Sequence, residues 1–292
     1  ADDVSIASIA GTFDTKNVGG DKVVTFSITG TGGDLSNYTF GGQSTATANI
    51  TPKVITITDT SVANKTYDGT ANASVTAGST FTGLVGSETL TVTDVVGTFA
   101  GKDVVLAPEF DANGNATGNL VAAEQTVTIT YTLGDGDNGG LASNYIIEAE
   151  QQTAVIEQAA LTLTANNIKK VITELDPTLT VRADGFVAGE TTADLTSFSV
   201  TREGANTEAG DVKGTYDILV TATSTNYDIT FTNNAGNDLT PTEGTATFVD
   251  EFKILGAGEL LVTLGDVTTE YGTDNTTVDA NARYYSALAQ SI

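Results

Sequence analysis

An all-β fold of repeated, sandwich-like modules is what this sequence predicts, and three observations predict it. Thr, Gly, Val, Asn, Ala and Asp dominate the composition, with only four prolines in 292 residues. Thr and Val suit pleated, half-buried surfaces, whereas Gly, Asn and Asp suit tight turns. Short runs alternate apolar and polar residues, and the same motifs return along the chain in the same order, as in a repeat architecture.

The alternating runs locate the strands. "KVVTFSITG" (22–30) places Val24, Phe26 and Ile28 on one face, and "KVITITDT" (53–60) does the same with Ile55 and Ile57. "TVTITYTLG" (126–134) aligns Val127, Ile129 and Tyr131, while "LTLTA" (161–165) aligns Leu161 and Leu163. Gly/Asn/Asp clusters bound these runs at short intervals, the pattern of antiparallel sandwiches. No stretch reads as a convincing amphipathic helix, although "ARYYSALAQSI" (282–292) suits either a helix or a strand.

Self-similarity divides the chain. "GTFDTKNVGG" (11–20) matches "GTFAGKDVVL" (97–106), with Gly11 over Gly97, Phe13 over Phe99 and Lys16 over Lys102. "KVVTFSITG" then matches "QTVTITYTLG", and Ile50 falls over Ile156; the second copy carries an insertion near 107–125. "GLVGSET" (83–89) returns as "GFVAGET" (185–191), and "ELLVTLGDVTTEYGTDNTT" echoes "KVITITDTSVANKTYDGTA". Residues 1–52 therefore read as the C-terminal part of a module, 53–159 as a complete one, 160–257 as a second type and 258–292 as the start of another. A chain that opens and stops inside a repeat is expected to be a window on a longer array.

These motifs resemble the YDG-type and MBG-type repeat domains of large bacterial surface adhesins. "KTYDGTANASV" (65–75), "GTFAGKDV" and "SNY" carry the first resemblance; "ELDPTLTVRADGFVAGET" (174–191), "GDVKGTYDI" and "TNYDITF" carry the second. At Ile172 the MBG-like unit departs from the Tyr that such repeats carry there. The resemblance implies tandem immunoglobulin-like or related β-sandwich modules forming extracellular, cell-surface stalks, and it implies no reaction.

Asn-Tyr recurs at Asn37-Tyr38, Asn144-Tyr145 and Asn226-Tyr227, each time between a turn and an apolar run. Asn tolerates left-handed backbone and bonds its neighbours, and Tyr can bury its ring while its hydroxyl reaches a loop carbonyl, as in a tyrosine corner. That structural role is favoured over a sugar platform because the pair recurs at one place in every module. Tyr67 and Tyr271, in "TYDGT" and "EYGTD", are expected in turns at module junctions.

Composition removes many functions. Without His or Cys there is no imidazole base, thiolate ligand or disulfide. Net charge of −25, from 37 acidic and 12 basic residues, argues against nucleic acid and anionic membrane as partners. No apolar run reaches the ~18–20 residues of a membrane-spanning helix. Calcium is the one candidate ion: "EFDANGNATGN" spaces Asp111, Asn113 and Asn115 as in calcium loops but lacks their Gly and Glu, and "GDGDNGG" gathers Asp135 and Asp137. Acids scattered over repeating turns give no distinct catalytic pair, so no enzyme is expected. The expected role is a stiff stalk whose partners are neighbouring modules; a glycan- or surface-binding module and a self-assembling fibre subunit are the alternatives.

Overall fold

The structure, a computed structural model, describes residues 2–42, 44–172, 174–187, 189–204, 212–241, 245–256, 259–264 and 282–286. Strands dominate, and three single-turn 3-10 segments are the only helical elements among the described residues. The fold is all-β and sandwich-like. The chain divides into two compact units: residues 1–65, 71–101 and 124–155 form one, and residues 66–70, 102–123 and 156–292 the other.

In the first unit, β1 (Ser5–Phe13), β2 (Gly19–Thr31) and β3 (Thr45–Ile50) form an antiparallel sheet in that order. Phe13 lies opposite Val24, Gly11 opposite Phe26 and Ile9 opposite Ile28, so one face is apolar. Val24 is buried, but Ile9 is 59% exposed and Phe13 36%. The alternation is right; among the described residues no second sheet covers this one.

The next repeat has that cover. Its elements are β4 (Lys53–Thr58), β5 (Ser61–Val62), β6 (Lys65–Thr66), β7 (Asn72–Ala73), β8 (Val75–Thr76) and β9 (Thr80–Thr82). They continue as β10 (Leu90–Phe99), β11 (Leu106–Phe110), β12 (Ala116–Ala122), β13 (Glu124–Asp135), β14 (Tyr145–Ile147) and β15 (Glu150–Glu157). Strands β7-β10-β13-β15 are consecutive neighbours in one sheet, and β14-β4-β9 form another. Ile55, Leu90 and Tyr145 pack with Phe81, Leu84, Leu133 and Ile147. Val127 and Ile129 are fully buried, each worth about 1.5–3 kcal/mol relative to exposure.

The two copies share a register. Phe99 faces Val127 and Gly97 faces Ile129, as Phe13 faces Val24 and Gly11 faces Phe26. The bulge between Ile6 and Ser8 recurs between Val92 and Asp94. A Cβ on Gly97 would lie 2.3 Å from Val75 Cγ2, which explains the small residue there. The insertion near 107–125 is the antiparallel hairpin β11–β12, within the second unit.

The rest of the second unit carries β16 (Ala159–Ala165), β17 (Ile168–Val171), β18 (Val181–Asp184), β19 (Ser197–Arg202), β20 (Gly214–Thr223), β21 (Tyr227–Phe231) and β22 (Ala246–Leu255). Sheets ordered β18-β16-β21 and β17-β22-β20-β19 enclose Leu161, Leu163, Ile218, Val220, Phe248 and Phe252, all nearly or fully buried. Strand β21 runs parallel to β16 as β14 does to β4. Lys170 and Arg202 are buried cations that share the Asp176 carboxylate, and the Arg202 guanidinium lies over the Tyr216 and Phe252 rings.

Strands β23 (Leu260–Leu264) and β24 (Ala282–Ser286) pair antiparallel, so the ambiguous C-terminal stretch begins as a strand. Tyr271 and most of the expected fourth module lie outside the described residues.

Candidate functional site

Two of the three Asn-Tyr pairs are halves of a clasp whose other half is a Lys-Asx-Val loop. In the second unit the Val104 N–H donates to Asn226 Oδ1 at 2.9 Å, and Asn226 Nδ2 donates to Asp103 Oδ1 at 2.9 Å. In the first unit the Val18 N–H donates to Asn144 Oδ1 at 2.9 Å, and Asn144 Nδ2 donates to Asn17 Oδ1 at 3.0 Å. The two loops are the aligned "TKNV" and "GKDV" stretches. One side chain thus satisfies a loop N–H and a loop side chain from a neighbouring repeat, and the bonds recur atom for atom.

The tyrosines complete the clasp. Val187 N–H donates to the Tyr227 hydroxyl at 2.9 Å, and that hydroxyl donates to Glu190. Val85 N–H donates to the Tyr145 hydroxyl at 3.1 Å, which donates to Glu88. Tyr67 adds a second ring in the second unit: its hydroxyl donates to Glu190 Oε1 at 2.6 Å, its ring packs edge-on to Tyr227 at 5.6 Å, and Lys102 Nζ stands 5.8 Å over it. In the first unit Lys16 pairs directly with Glu88.

Among the described residues the remaining pair makes no such clasp. Asn37 closes the 3-10 turn Leu35–Asn37, like Asn144 in Ala142–Asn144. The Tyr38 hydroxyl donates to Asp2, repeating the Tyr–carboxylate bond, but the ring is 49% exposed.

Two parts of the expected turn role take a different form. None of the three Asn residues has the left-handed backbone expected of them; among the described non-glycine residues that conformation falls to Asp21, Asp59 and Asn138. The Asn144 turn is closed by its N–H on the Leu141 carbonyl, and the Asn226 turn by the Asn226 and Tyr227 N–H groups on Ser224 Oγ, which leaves both Asn side chains to bond a distant loop. The tyrosine hydroxyls meet an N–H and a carboxylate, where a carbonyl was expected. Tyr67 directly follows β6.

The first acidic loop is internally bonded, and the second is bonded to residues that flank it or lie across from it. Asp111 accepts from the N–H groups of Asn113 and Asn115 and from Asn115 Nδ2, which holds its carboxyl below the usual range. Asp135 Oδ1 accepts the Ala142 N–H, and the Asp137 N–H donates to Thr89 Oγ1. A cation at Asp111 or Asp135 competes with the donors on those carboxylates. No cluster of three acidic side chains with metal-binding geometry occurs among the described residues.

Titration should report the clasp. Hydrogen bonding from Lys16, then Tyr145, holds Glu88 below the ordinary carboxylate range. Burial, then the Glu190 hydrogen bond, pushes Tyr227 up to about 12. A raised folded pKa gives stability that is complete below the unfolded tyrosine value of ~10 and lost as pH rises through the folded one. Melting temperature should therefore fall between pH ~10 and about 12, and Tyr227→Phe should flatten part of that limb. An identical limb in the variant would show that Tyr227 is not held in this way.

Sheet-paired repeats joined through a recurring clasp define the class: a tandem β-repeat protein. Residues 1–48 and 51–119 match the YDG domain family, and residues 161–236 match the MBG domain (YGX type). Domains of these families are found in surface and adhesin-like proteins. A comparison with curated proteins gives no match. Tyr145 and Tyr227 were legible as repeated structural residues; Glu88 and Glu190 were missed. Their signal was present in the paired "GSET" and "AGET" stretches.

Proposed function

We propose that this chain is a non-catalytic stalk segment of an extracellular bacterial adhesin or matrix protein, holding another part of its parent away from the cell surface. The observation that carries the reading is the clasp made twice from equivalent residues. A ligand site has no reason to recur between neighbouring repeats with the same bonds, whereas a load-transmitting joint does. The connections reinforce it: β3 ends at Ile50 and β4 begins at Lys53, while β15 ends at Glu157 and β16 begins at Ala159. Gln158, the one residue between β15 and β16, donates to the Thr225 and Tyr227 carbonyls. Such joints leave little slack.

Small-angle scattering of the purified chain tests the reading. The expected radius of gyration lies well above the ~19 Å of a compact chain of this length. A value near ~19 Å would remove the stalk. The open apolar face of β1-β2-β3 favours a second reading, a fibre subunit that pairs with another copy. Concentration-dependent sedimentation would favour it over an isolated stalk segment.

A further inference from the structure

The two clasps differ in one respect. In the second unit, Tyr67 sits between Glu190 and Lys102 and is 4% exposed. Its N–H donates to the Glu157 carbonyl at 2.8 Å, just past the end of β6. In the first unit the equivalent surroundings hold a cavity of about 230 Å³. Its lining includes Lys16, Val18, Thr51, Glu88 and Tyr145. These stand where Lys102, Val104, Glu157, Glu190 and Tyr227 stand around Tyr67: Lys16 and Val18 by the loop alignment, Thr51 as the residue after Ile50, and Glu88 and Tyr145 by their shared bond.

We propose that this cavity is a tyrosine socket. Its occupant is the side chain of a Lys-Thr-Tyr-Asp-Gly turn from the first half of another YDG-type repeat, presented as residues 65–69 present Tyr67. The cavity is below the ~300–1,000 Å³ of small-molecule pockets, which suits one aromatic side chain. The lining supplies what a phenol requires: a tyrosine ring to meet edge-on, a carboxylate to accept its hydroxyl proton, and a lysine to lie over its face. Lys16 pairs with Glu88 directly, whereas Lys102 meets the Tyr67 hydroxyl and ring. Entry of the phenol shifts Lys16 from the carboxylate onto the new hydroxyl.

The same occupant explains two other unfinished features. Residues 38–40 correspond to β14, which pairs in parallel with β4 in the complete repeat, yet they form no strand. Among the described residues, the apolar face of β1-β2-β3 has no counterpart of the covering sheet that β14-β4-β9 supplies in that repeat. A segment like residues 53–89 provides the missing strand, the missing cover and the tyrosine together.

This inference deepens the stalk reading by naming what reaches the first joint. The test titrates the ¹⁵N-labelled full chain with the peptide Asn-Lys-Thr-Tyr-Asp-Gly-Thr, which is residues 64–70, and with its Tyr67→Ala form. Saturable amide shifts at Val18, Thr51 and Val85 are expected, with the Ala peptide at least ~10-fold weaker. Absence of saturable shifts, equal binding by the Ala peptide, or shifts confined to Val104 and Val187 would each overturn the socket. Peptide binding is independent of particle shape, so its failure leaves the scattering test intact, and a compact scattering profile leaves the socket intact.

Discussion

Tyr227→Ala is expected to destabilise the second unit by about 3–5 kcal/mol, the range for truncating a buried aromatic side chain. The ring is 3% exposed and meets Tyr67 and Phe186 edge-on at 5.6 and 5.4 Å. Truncation opens a cavity between both rings and strands the Val187 N–H and the Glu190 carboxylate. Tyr227→Phe keeps the packing and removes the hydroxyl, so its cost should be about 1–3 kcal/mol. Chemical unfolding of the full chain, with the two units followed separately, measures both. Tyr38→Ala is the internal control: the exposed ring and single surface contact predict a change within ~0.5 kcal/mol. If all three variants cost the same, the clasp contributes nothing beyond an ordinary tyrosine turn.

Gly185→Ala is expected to cost about 2–4 kcal/mol, from backbone strain and a backbone clash together. Gly185 has φ +112°, and a Cβ there would lie 2.3 Å from the Ala160 carbonyl oxygen, which cannot swing away as a side chain does. Gly83 opens the matching "GLVGSET" stretch with φ +101°, but its nearest neighbour to a new Cβ is Ile55 Cγ2 at 3.5 Å. Gly83→Ala therefore carries the strain without the clash and should cost about 1–2 kcal/mol less. Thermal unfolding of the two variants separates the terms. Equal losses would mean that the carbonyl contact relaxes at little cost.

Much of the fold was legible because strand burial follows a period of two. Ile55, Val127, Ile129, Leu161 and Leu163 were placed on core faces by alternation alone, and all are buried. Phe26 and Ile28 follow the same alternation but are only half-buried. Alternation assigns a face; it does not say whether a second sheet lies over that face. Likewise, Asn-Tyr recurrence marked structural residues without identifying their partners. Tyr145 bonds a carboxylate 57 residues away and Asn144 a loop 126 residues away, and 37 acidic residues offer no local cue to which one is chosen.

The sequence by itself determined the strands, the repeat and the loops that would be polar, because each follows from periodicity and turn chemistry within a few residues. Tertiary structure alone decided that "TKNV" and "GKDV" meet the Asn-Tyr of a neighbouring repeat, that Glu88 and Glu190 take the tyrosine hydroxyls, and that one clasp is filled by Tyr67 while the other keeps a cavity. Those outcomes depend on which distant loops the paired strands deliver to one place. Hydrogen-bond geometry across that gap is set by sheet register, and no local pattern of residues encodes it.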